Sequence, residues 1–405
     1  MRIIVIGASH AGIAFVDAMR RNGFAGGLCL VDRQPGQPLE RPPLSKAFLA
    51  GDGGDESRFA LRKPDWFAAH DIQLIDNCRI TAIDAAGREI ETGTGERMGY
   101  DRLVLATGAT PRRLPAAEGM DGVFELRHPD DALRLRSAAG KAASVIVIGG
   151  GYIGLEVAAT LAKSGKAVTV IEAAPRLLAR VASPPISSFF ADLHSEAGTG
   201  VITGAGVEDV VAARGCFSHV RLSDGRQLAA DMLVVGIGVL PEMSLAESAG
   251  IETGNGILVG PDMQTNLPDI YAIGDGALVR DNAYGIRIES VHNAQDSAER
   301  AAAAINGHAP PADQAPWFWS EQFGLRLQSA GIVPADGASH HRRPGKREGG
   351  FSIWSYRADR LCAVEAVGDP AGYMLGKSCL EKGLSPSPQL VCDPAFDLKA
   401  FVAAK

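Results

Sequence analysis

Two stretches of this sequence join a glycine-rich turn to a carboxylate further along the chain. One is Gly149-Gly150-Gly151-Tyr152-Ile153-Gly154, with Glu172 beyond it; the other is Gly7-Ala8-Ser9-His10-Ala11-Gly12, with Asp32 beyond it. The chemistry of such a unit is recognition of a dinucleotide. One glycine permits a tight bend, a second lets backbone approach a pyrophosphate, and a third lets helix pack close to strand. The pyrophosphate then lies on the N–H groups and dipole of a helix N-terminus. An acidic residue about twenty positions later accepts hydrogen bonds from a ribose. A single GxGxxG is a weak signal, because glycine turns often serve packing alone. The later copy is complete, whereas the earlier one carries Ser9 in place of the middle glycine. A side chain that small still admits a phosphate, and its hydroxyl can donate to it. His10 is given no role.

The elements that must position these residues are legible around them. An apolar strand runs into the first turn, the periodic stretch "IAFVDAMRRNG" follows as a helix closed by Gly23, and "LCLVD" is a strand ending at Asp32. Residues 144–172 repeat strand, turn, helix, glycine stop and strand, ending at Glu172. Two dinucleotide folds in one chain imply two nucleotides. Three more segments read as buried strands ending in glycine turns: "LVLATGATPRRL" (103–114), "LVVGIGVLPE" (233–242) and "TNLPDIYAIGD" (265–275). Singly, each is only a strand end; their order ties them to the two nucleotide units.

Composition bounds the function classes. A chain of 405 residues with 46% hydrophobic content has material for two or three domains. The formal charge of −7 argues against nonspecific nucleic-acid binding. The longest apolar runs are too short to span a bilayer, so no membrane association is expected. Met1 leads directly into a strand, which leaves no room for a signal peptide and points to the cytoplasm. The six cysteines, Cys29, Cys78, Cys216, Cys362, Cys379 and Cys392, form no CxxC pair and no metal-like spacing, so they read as buried or idle thiols and no metal is expected.

The ordered motifs resemble those of the FAD-dependent pyridine nucleotide oxidoreductase superfamily, specifically the ferredoxin reductases that serve cytochrome P450 and aromatic-ring dioxygenase systems. The resemblance covers nearly the whole chain and extends to "ERPPLSK" (40–46), "APRLLARVASPPIS" (174–187), "ESVHNAQDSA" (289–298) and "PWFWSEQF" (316–323). It implies an α/β fold with two Rossmann-like dinucleotide-binding domains of the glutathione reductase type plus a C-terminal α+β domain. The expected boundaries are 1–108 with 237–315 for FAD, 109–236 for NADH, and 316–405 for the C-terminal domain. The Pro-rich "NGHAPPADQAP" (306–316) agrees with a linker before the last domain, and "FSIWSY" and "LCAVEAVG", separated by "RADR", suit a hairpin.

On this resemblance, FAD is held by Gly7, Ser9, Gly12, Asp32, Arg41, Lys46, Ala106, Thr107, Gly108, Gly274, Asp275, Val291 and Trp319, with Asp275 on the ribitol and Arg41 on the phosphates. NADH is held by Gly149, Gly151, Tyr152, Ile153, Gly154, Glu156, Glu172, Arg180 and Gly238. The implied catalytic set is Lys46, Glu156 and Trp319. Lys46 lies near flavin N5, where its charge favours the anionic reduced flavin; Glu156 is its acidic partner near the nicotinamide; Trp319 lies by the ring or the exit face. Unaided by the resemblance, Trp317 and Trp319 read as core or interface anchors.

Disulfide reductases of this superfamily carry a cysteine pair after the first βαβ unit. Here that place reads Arg41-Pro42-Pro43-Leu44-Ser45-Lys46, which excludes a dithiol relay and single-cysteine peroxidase chemistry. Electrons must leave for something that docks. The implied reaction is hydride transfer from NADH to FAD, then single electrons to a [2Fe-2S] ferredoxin, by a monomer or weak homodimer; a rubredoxin would use nearly the same reductase. Other readings are a stand-alone NADH oxidase or quinone reductase, and an NADH-sensing interaction protein resembling apoptosis-inducing factor. Glu172 favours NADH by repelling the 2′-phosphate of NADPH. Arg176 and Arg180 either soften that preference or are helix surface charge. The basic "HHRRPGKR" (340–347) is either an attractive surface for an acidic iron–sulfur protein or a solvated loop, and Glu242 stands where the family usually places asparagine, a departure bearing on an NADH-domain contact or the local charge.

Overall fold

The β-branched runs Arg2–Ile6 (RIIVI) and Ser144–Ile148 (SVIVI) each become the middle strand of a five-stranded sheet. These and the features below are seen in a computed structural model that describes residues 1–51, 56–280, 282 and 284–404. The chain divides into two units: Met1–Glu40, Asp55–Thr110 and Val239–Asp313 form the first, and Arg41–Gly54, Pro111–Gly238 and Gln314–Lys405 the second.

In the first unit the sheet order is Ile270–Ala272, Arg102–Leu105, Arg2–Ile6, Gly27–Val31, Ile72–Ile75, with every pair parallel. Parallel strands are covered on both faces, which is why they read as continuous apolar runs. The helices His10–Arg21 and Val291–Asn306 pack on one another, and the second presents Ala294, Ala298, Ala301 and Ala302 to the core, small side chains that permit a close approach. A smaller antiparallel sheet, Ile80–Asp84, Glu89–Thr92 and Arg97–Gly99, completes this unit's larger elements.

The second unit repeats the parallel design in the order Gly200–Thr203, Ala167–Glu172, Ser144–Ile148, Met232–Val235, Val123–Phe124. It also holds an antiparallel sheet ordered Trp317–Gln322, Leu325–Gly331, Arg360–Val367, Phe351–Arg357, Ala338–Pro344. Side chains alternate across that sheet with period 2. Phe351 and Ile353 enter a core shared with Leu155 and Phe190, whereas Trp354 and Tyr356 enter a core with Cys379, Val391 and Leu398. The helix Pro370–Glu381 lies so close to the sheet that a Cβ added at Gly376 would fall 2.7 Å from the Val364 side chain.

The structure corrects one sequence expectation. Residues 340–344 of the basic stretch are not a solvated loop: they belong to the edge strand Ala338–Pro344. Period 2 turns Arg343 inward, where it donates to the carbonyls of Val391, Asp393 and Phe396, while Arg342 covers the Phe351 ring at 4.1 Å. All six cysteines are free thiols: Cys29 and Cys379 are buried, Cys78 and Cys362 half-buried, and Cys216 and Cys392 exposed. Among the described residues no helix is long and apolar enough to cross a membrane, and no His/Cys/Asp/Glu group could hold a metal ion.

Candidate functional site

In the first unit the chain leaves three neighbouring parallel strands at their carboxyl ends, through Gly7, Ala106 and Gly274. Strand order reverses between Arg2–Ile6 and Arg102–Leu105, the kind of switch point where open α/β sheets bind ligands. Gly7 has φ +110°, and a Cβ there would lie 2.2 Å from the Ala106 carbonyl oxygen; at Gly12 it would lie 2.0 Å from the Gly7 oxygen. At Gly274, with φ +72°, an added Cβ would lie 2.8 Å from the Ala11 Cβ. Ser9 precedes the helix His10–Arg21, which has no acidic side chain in its first turn. Asp32 accepts the N–H of Ala8 at 2.7 Å and of Gln34 at 2.8 Å, so it is braced across the turn. Thr107 and Gly108 are tied to Glu242, whose carbonyl accepts the Thr107 hydroxyl (2.8 Å) and whose N–H donates to the Gly108 carbonyl (2.9 Å). Glu242 therefore acts within the first unit, and its carboxylate accepts the Ser244 hydroxyl at 2.6 Å. The Gly274 N–H donates to Ser297, and Val291 opens the same helix behind the Ser290 cap, which places Asp275 and Val291 beside the turn.

The second unit reproduces this geometry. Gly149 has φ +109°, with a hypothetical Cβ 2.3 Å from the Gly236 oxygen, and at Gly154 one would lie 2.0 Å from the Gly149 oxygen. At Gly151, by contrast, an added Cβ meets nothing within 4 Å. That open space, at the start of a helix with no acidic first turn, fits a pyrophosphate. Glu172 accepts the N–H of Gly150 at 2.6 Å and of Ala174 at 2.8 Å, the counterpart of the Asp32 arrangement. Ile153 is exposed beside the turn, and Gly238, at φ +103°, lies under the Arg180 guanidinium. Arg176 points the other way: it donates to the carbonyls of Ala179 and Ala182 and to the Ser187 hydroxyl, so it braces the loop after Glu172.

One turn into the Tyr152–Lys163 helix stands Glu156, 2% exposed. Its Oε2 accepts Lys46 Nζ and the Ser45 hydroxyl, both at 2.5 Å, and its Oε1 accepts the Ser320 hydroxyl at 2.7 Å. Lys46 also donates to the Pro42 carbonyl at 3.0 Å. The cysteine-free segment is held from several sides. Thr160, one helical turn after Glu156, donates to the Ser45 carbonyl; Arg136 donates to the Phe48 carbonyl; Arg41 donates to the Arg127 carbonyl. Lys46 and Glu156 are thus brought together, and Arg41, Lys46 and Trp319 all belong to the second unit. The strand Trp317–Gln322 runs along this helix: Phe318 stacks on Tyr152 at 4.4 Å and Ser320 reaches Glu156, while Trp317 and Trp319 share the opposite face, with ring centroids 5.6 Å apart.

Sequence reasoning missed Ser45, Thr160 and Ser320. The signals available were the i,i+4 spacing of Glu156 and Thr160 and the polar residues two and four places after Phe318, on the same face of its strand. It also missed Glu365, a fully buried carboxyl whose oxygens accept the Ser183 N–H at 3.1 and 3.2 Å. Burial pushes Glu365 up to about 7, against the opposing effect of the Ser183 hydrogen bonds and of Arg176.

Comparison with known proteins adds the following. The sequence profile described as pyridine nucleotide-disulphide oxidoreductase matches residues 1–298, and that described as reductase C-terminal matches residues 317–402. The chain is similar to putidaredoxin reductase of Pseudomonas putida, 38% identical across 99% of this chain and 97% of that protein. Among solved structures it is similar to the ferredoxin reductase for the CYP199A2 system from Rhodopseudomonas palustris, with TM-score 0.95 and 38% identity over 99% of each chain. It is also similar to the reductase of the covalent putidaredoxin reductase–putidaredoxin complex, with TM-score 0.94 and 37% identity over 100% of this chain and 98% of that one.

Proposed function

The chain belongs to the pyridine nucleotide-disulphide oxidoreductase family, and from that premise we propose that it is an NADH-dependent reductase of a [2Fe-2S] ferredoxin feeding a cytochrome P450 or ring-hydroxylating dioxygenase. It is an FAD-dependent oxidoreductase that binds NAD(H). FAD, when bound, would supply the chemistry of accepting a hydride from NADH and passing electrons on singly.

The observation that carries the partner reading is the segment Arg41–Lys46, which offers Glu156 a lysine where disulfide reductases of the superfamily carry thiols. Without a thiol to receive electrons, a docking protein must. The residues have the following roles in this reading. Gly7, Ser9 and Gly12 admit the FAD pyrophosphate, Asp32 holds its ribose, and Ala106, Thr107, Gly108, Gly274, Asp275 and Val291 line the rest of its path. Gly149, Gly151 and Gly154 admit the NADH pyrophosphate, Tyr152, Ile153, Arg180 and Gly238 flank it, and Glu172 holds the adenosine ribose, disfavouring NADPH. The Lys46–Glu156 pair fixes the charge at hydride transfer, and Trp319 serves the exit of electrons. The proposed domain division is 1–108 with 237–315 for FAD, 109–236 for NADH and 316–405 for the C-terminal domain, and the proposed location is the cytoplasm.

The test is steady-state NADH oxidation by the purified, FAD-loaded protein with and without a [2Fe-2S] ferredoxin, with cytochrome c as final acceptor and rubredoxin in a parallel arm. Strong ferredoxin-dependent stimulation, with NADH preferred to NADPH, is expected. Equal turnover in air alone would replace this reading with an oxidase. Flavin bleaching without turnover on any acceptor would replace it with a sensor.

A further inference from the structure

The hydrogen bonds at Glu156 do not stop at Ser320. Gln322, two residues further along the strand and on the same face, places Nε2 3.2 Å from the Ser320 oxygen. Its Oε1 lies 2.9 Å from Nε2 of His194, in the last turn of the helix Pro184–Glu196. Ser320, Gln322 and His194 are all buried, at 0%, 1% and 0% exposure. The imidazole packs edge-on against Phe323 at 4.9 Å, and its Nδ1 has no hydrogen-bond partner among the described residues.

The polarity of this chain is forced from its acidic end. A carboxylate only accepts, so the single Ser320 proton goes to Glu156. Gln322 must then present its N–H to the Ser320 oxygen and its carbonyl to His194. His194 must in turn carry its proton on Nε2, leaving Nδ1 bare, which agrees with the nitrogen left without a partner. Burial lowers the His194 pKa, against the opposing Gln322 hydrogen bond, and so favours the neutral ring. Every donor in the series therefore points toward Glu156. The amide in the middle makes the chain a poor conductor of protons but a good device for fixing orientation.

We infer that His194 is a positioning residue for hydride transfer: through Gln322 and Ser320 it holds the Glu156 carboxylate, and hence Lys46, in one orientation. This rests on the proposed role of the Lys46–Glu156 pair, but not on the identity of the electron acceptor. Linked hydrogen bonds of this kind polarise one another, so loss of the far member is felt at the near end. His194 touches neither nucleotide turn, so its effect belongs in the rate of flavin reduction and not in NADH affinity.

The experiment joins a spectroscopic and a kinetic arm on the FAD-loaded protein. In the first, 15N-histidine NMR at pH 7 is expected to show His194 as the neutral Nε2–H tautomer; an Nδ1–H tautomer or an imidazolium would overturn the inference whatever the protein reduces. In the second, anaerobic stopped-flow follows flavin reduction by NADH. His194→Leu and Gln322→Leu should each slow reduction roughly tenfold with the NADH dissociation constant unchanged. The double variant should be no slower than the slower single, and His194→Gln, which restores an N–H donor, should recover most of the rate. Wild-type reduction by His194→Leu, a loss confined to NADH binding, or full additivity in the double variant would each overturn it. Should His194→Leu fail to fold, the tautomer and the His194→Gln rate still decide. Failure of ferredoxin stimulation alone would sink the partner assignment and leave this inference standing.

Discussion

The role proposed for the Glu156–Lys46 ion pair can be tested by separating stability from activity. The carboxylate is 2% exposed and the lysine side chain 21%, so each would be left in poor solvent by loss of the other. Breaking such a pair from one side costs about 3–5 kcal/mol, whereas replacing both members by apolar residues is often close to neutral. Lys46→Met and Glu156→Leu should each lower Tm markedly, with Lys46→Met the worse because it strands the deeper group. The double variant should recover much of that Tm. Flavin reduction by NADH should remain impaired in all three, and recovery of rate together with Tm would show the pair to be structural only. Glu172 makes a second residue-level prediction. On the proposed role of Glu172, Glu172→Ala removes both the ribose acceptor and the charge that repels a 2′-phosphate, so the ratio of kcat/KM for NADH over NADPH should fall by roughly tenfold or more. Arg176→Met should leave that ratio alone and lower Tm, because this guanidinium is committed to Ala179, Ala182 and Ser187.

The elements differ in how much of their role the sequence carries. Both glycine turns were legible because backbone conformation and close approach restrict those positions to glycine: Gly7 and Gly149 combine positive φ with a carbonyl where a Cβ would stand. The meeting of Lys46 and Glu156, 110 positions apart, came through family resemblance and not through spacing. Ser320, Gln322 and His194 gave no such signal, since alternation in a strand tells which residues share a face but not what that face meets. The basic edge strand was misread for a related reason: charge density suggested solvent, while the pleat sent Arg343 toward the Val391–Phe396 carbonyls. Gly376 exemplifies a constraint visible only in the packed element. Alanine there would gain about 0.5–1 kcal/mol of helix propensity. Overpacking against Val364, 2.7 Å from the new methyl, costs about 1–3 kcal/mol. The second effect is the larger, so Gly376→Ala should lower Tm, and a raised Tm would mean that the helix can shift off the sheet.

Across the molecule, two buried titratable groups bend the pH dependence of stability in opposite directions. Glu365 has its folded pKa raised from 4.5 to about 7 by burial. Between those values the folded state holds a proton that the unfolded state has lost, so stability falls as pH rises through the window and stays reduced above it. His194 has its folded pKa lowered by burial from 6.5. Below 6.5 the unfolded state takes up a proton that the folded state refuses, so stability falls as pH falls. The two slopes oppose one another on the acid side of 6.5, and Glu365 acts alone just above it. Glu365→Gln keeps the shape of the neutral carboxyl and its acceptor for the Ser183 N–H, so it should be nearly neutral at pH 4.5. At pH 8 it should stabilise the protein by up to about 3 kcal/mol, the equivalent of the full shift. Its acid limb should also be steeper than that of the wild type, because the His194 slope is no longer opposed. Denaturation midpoints of both proteins, loaded with FAD and measured at pH 4.5, 6 and 8, would show this as a difference that grows with pH. An equal difference at all three values would mean that Glu365 does not titrate in the folded protein.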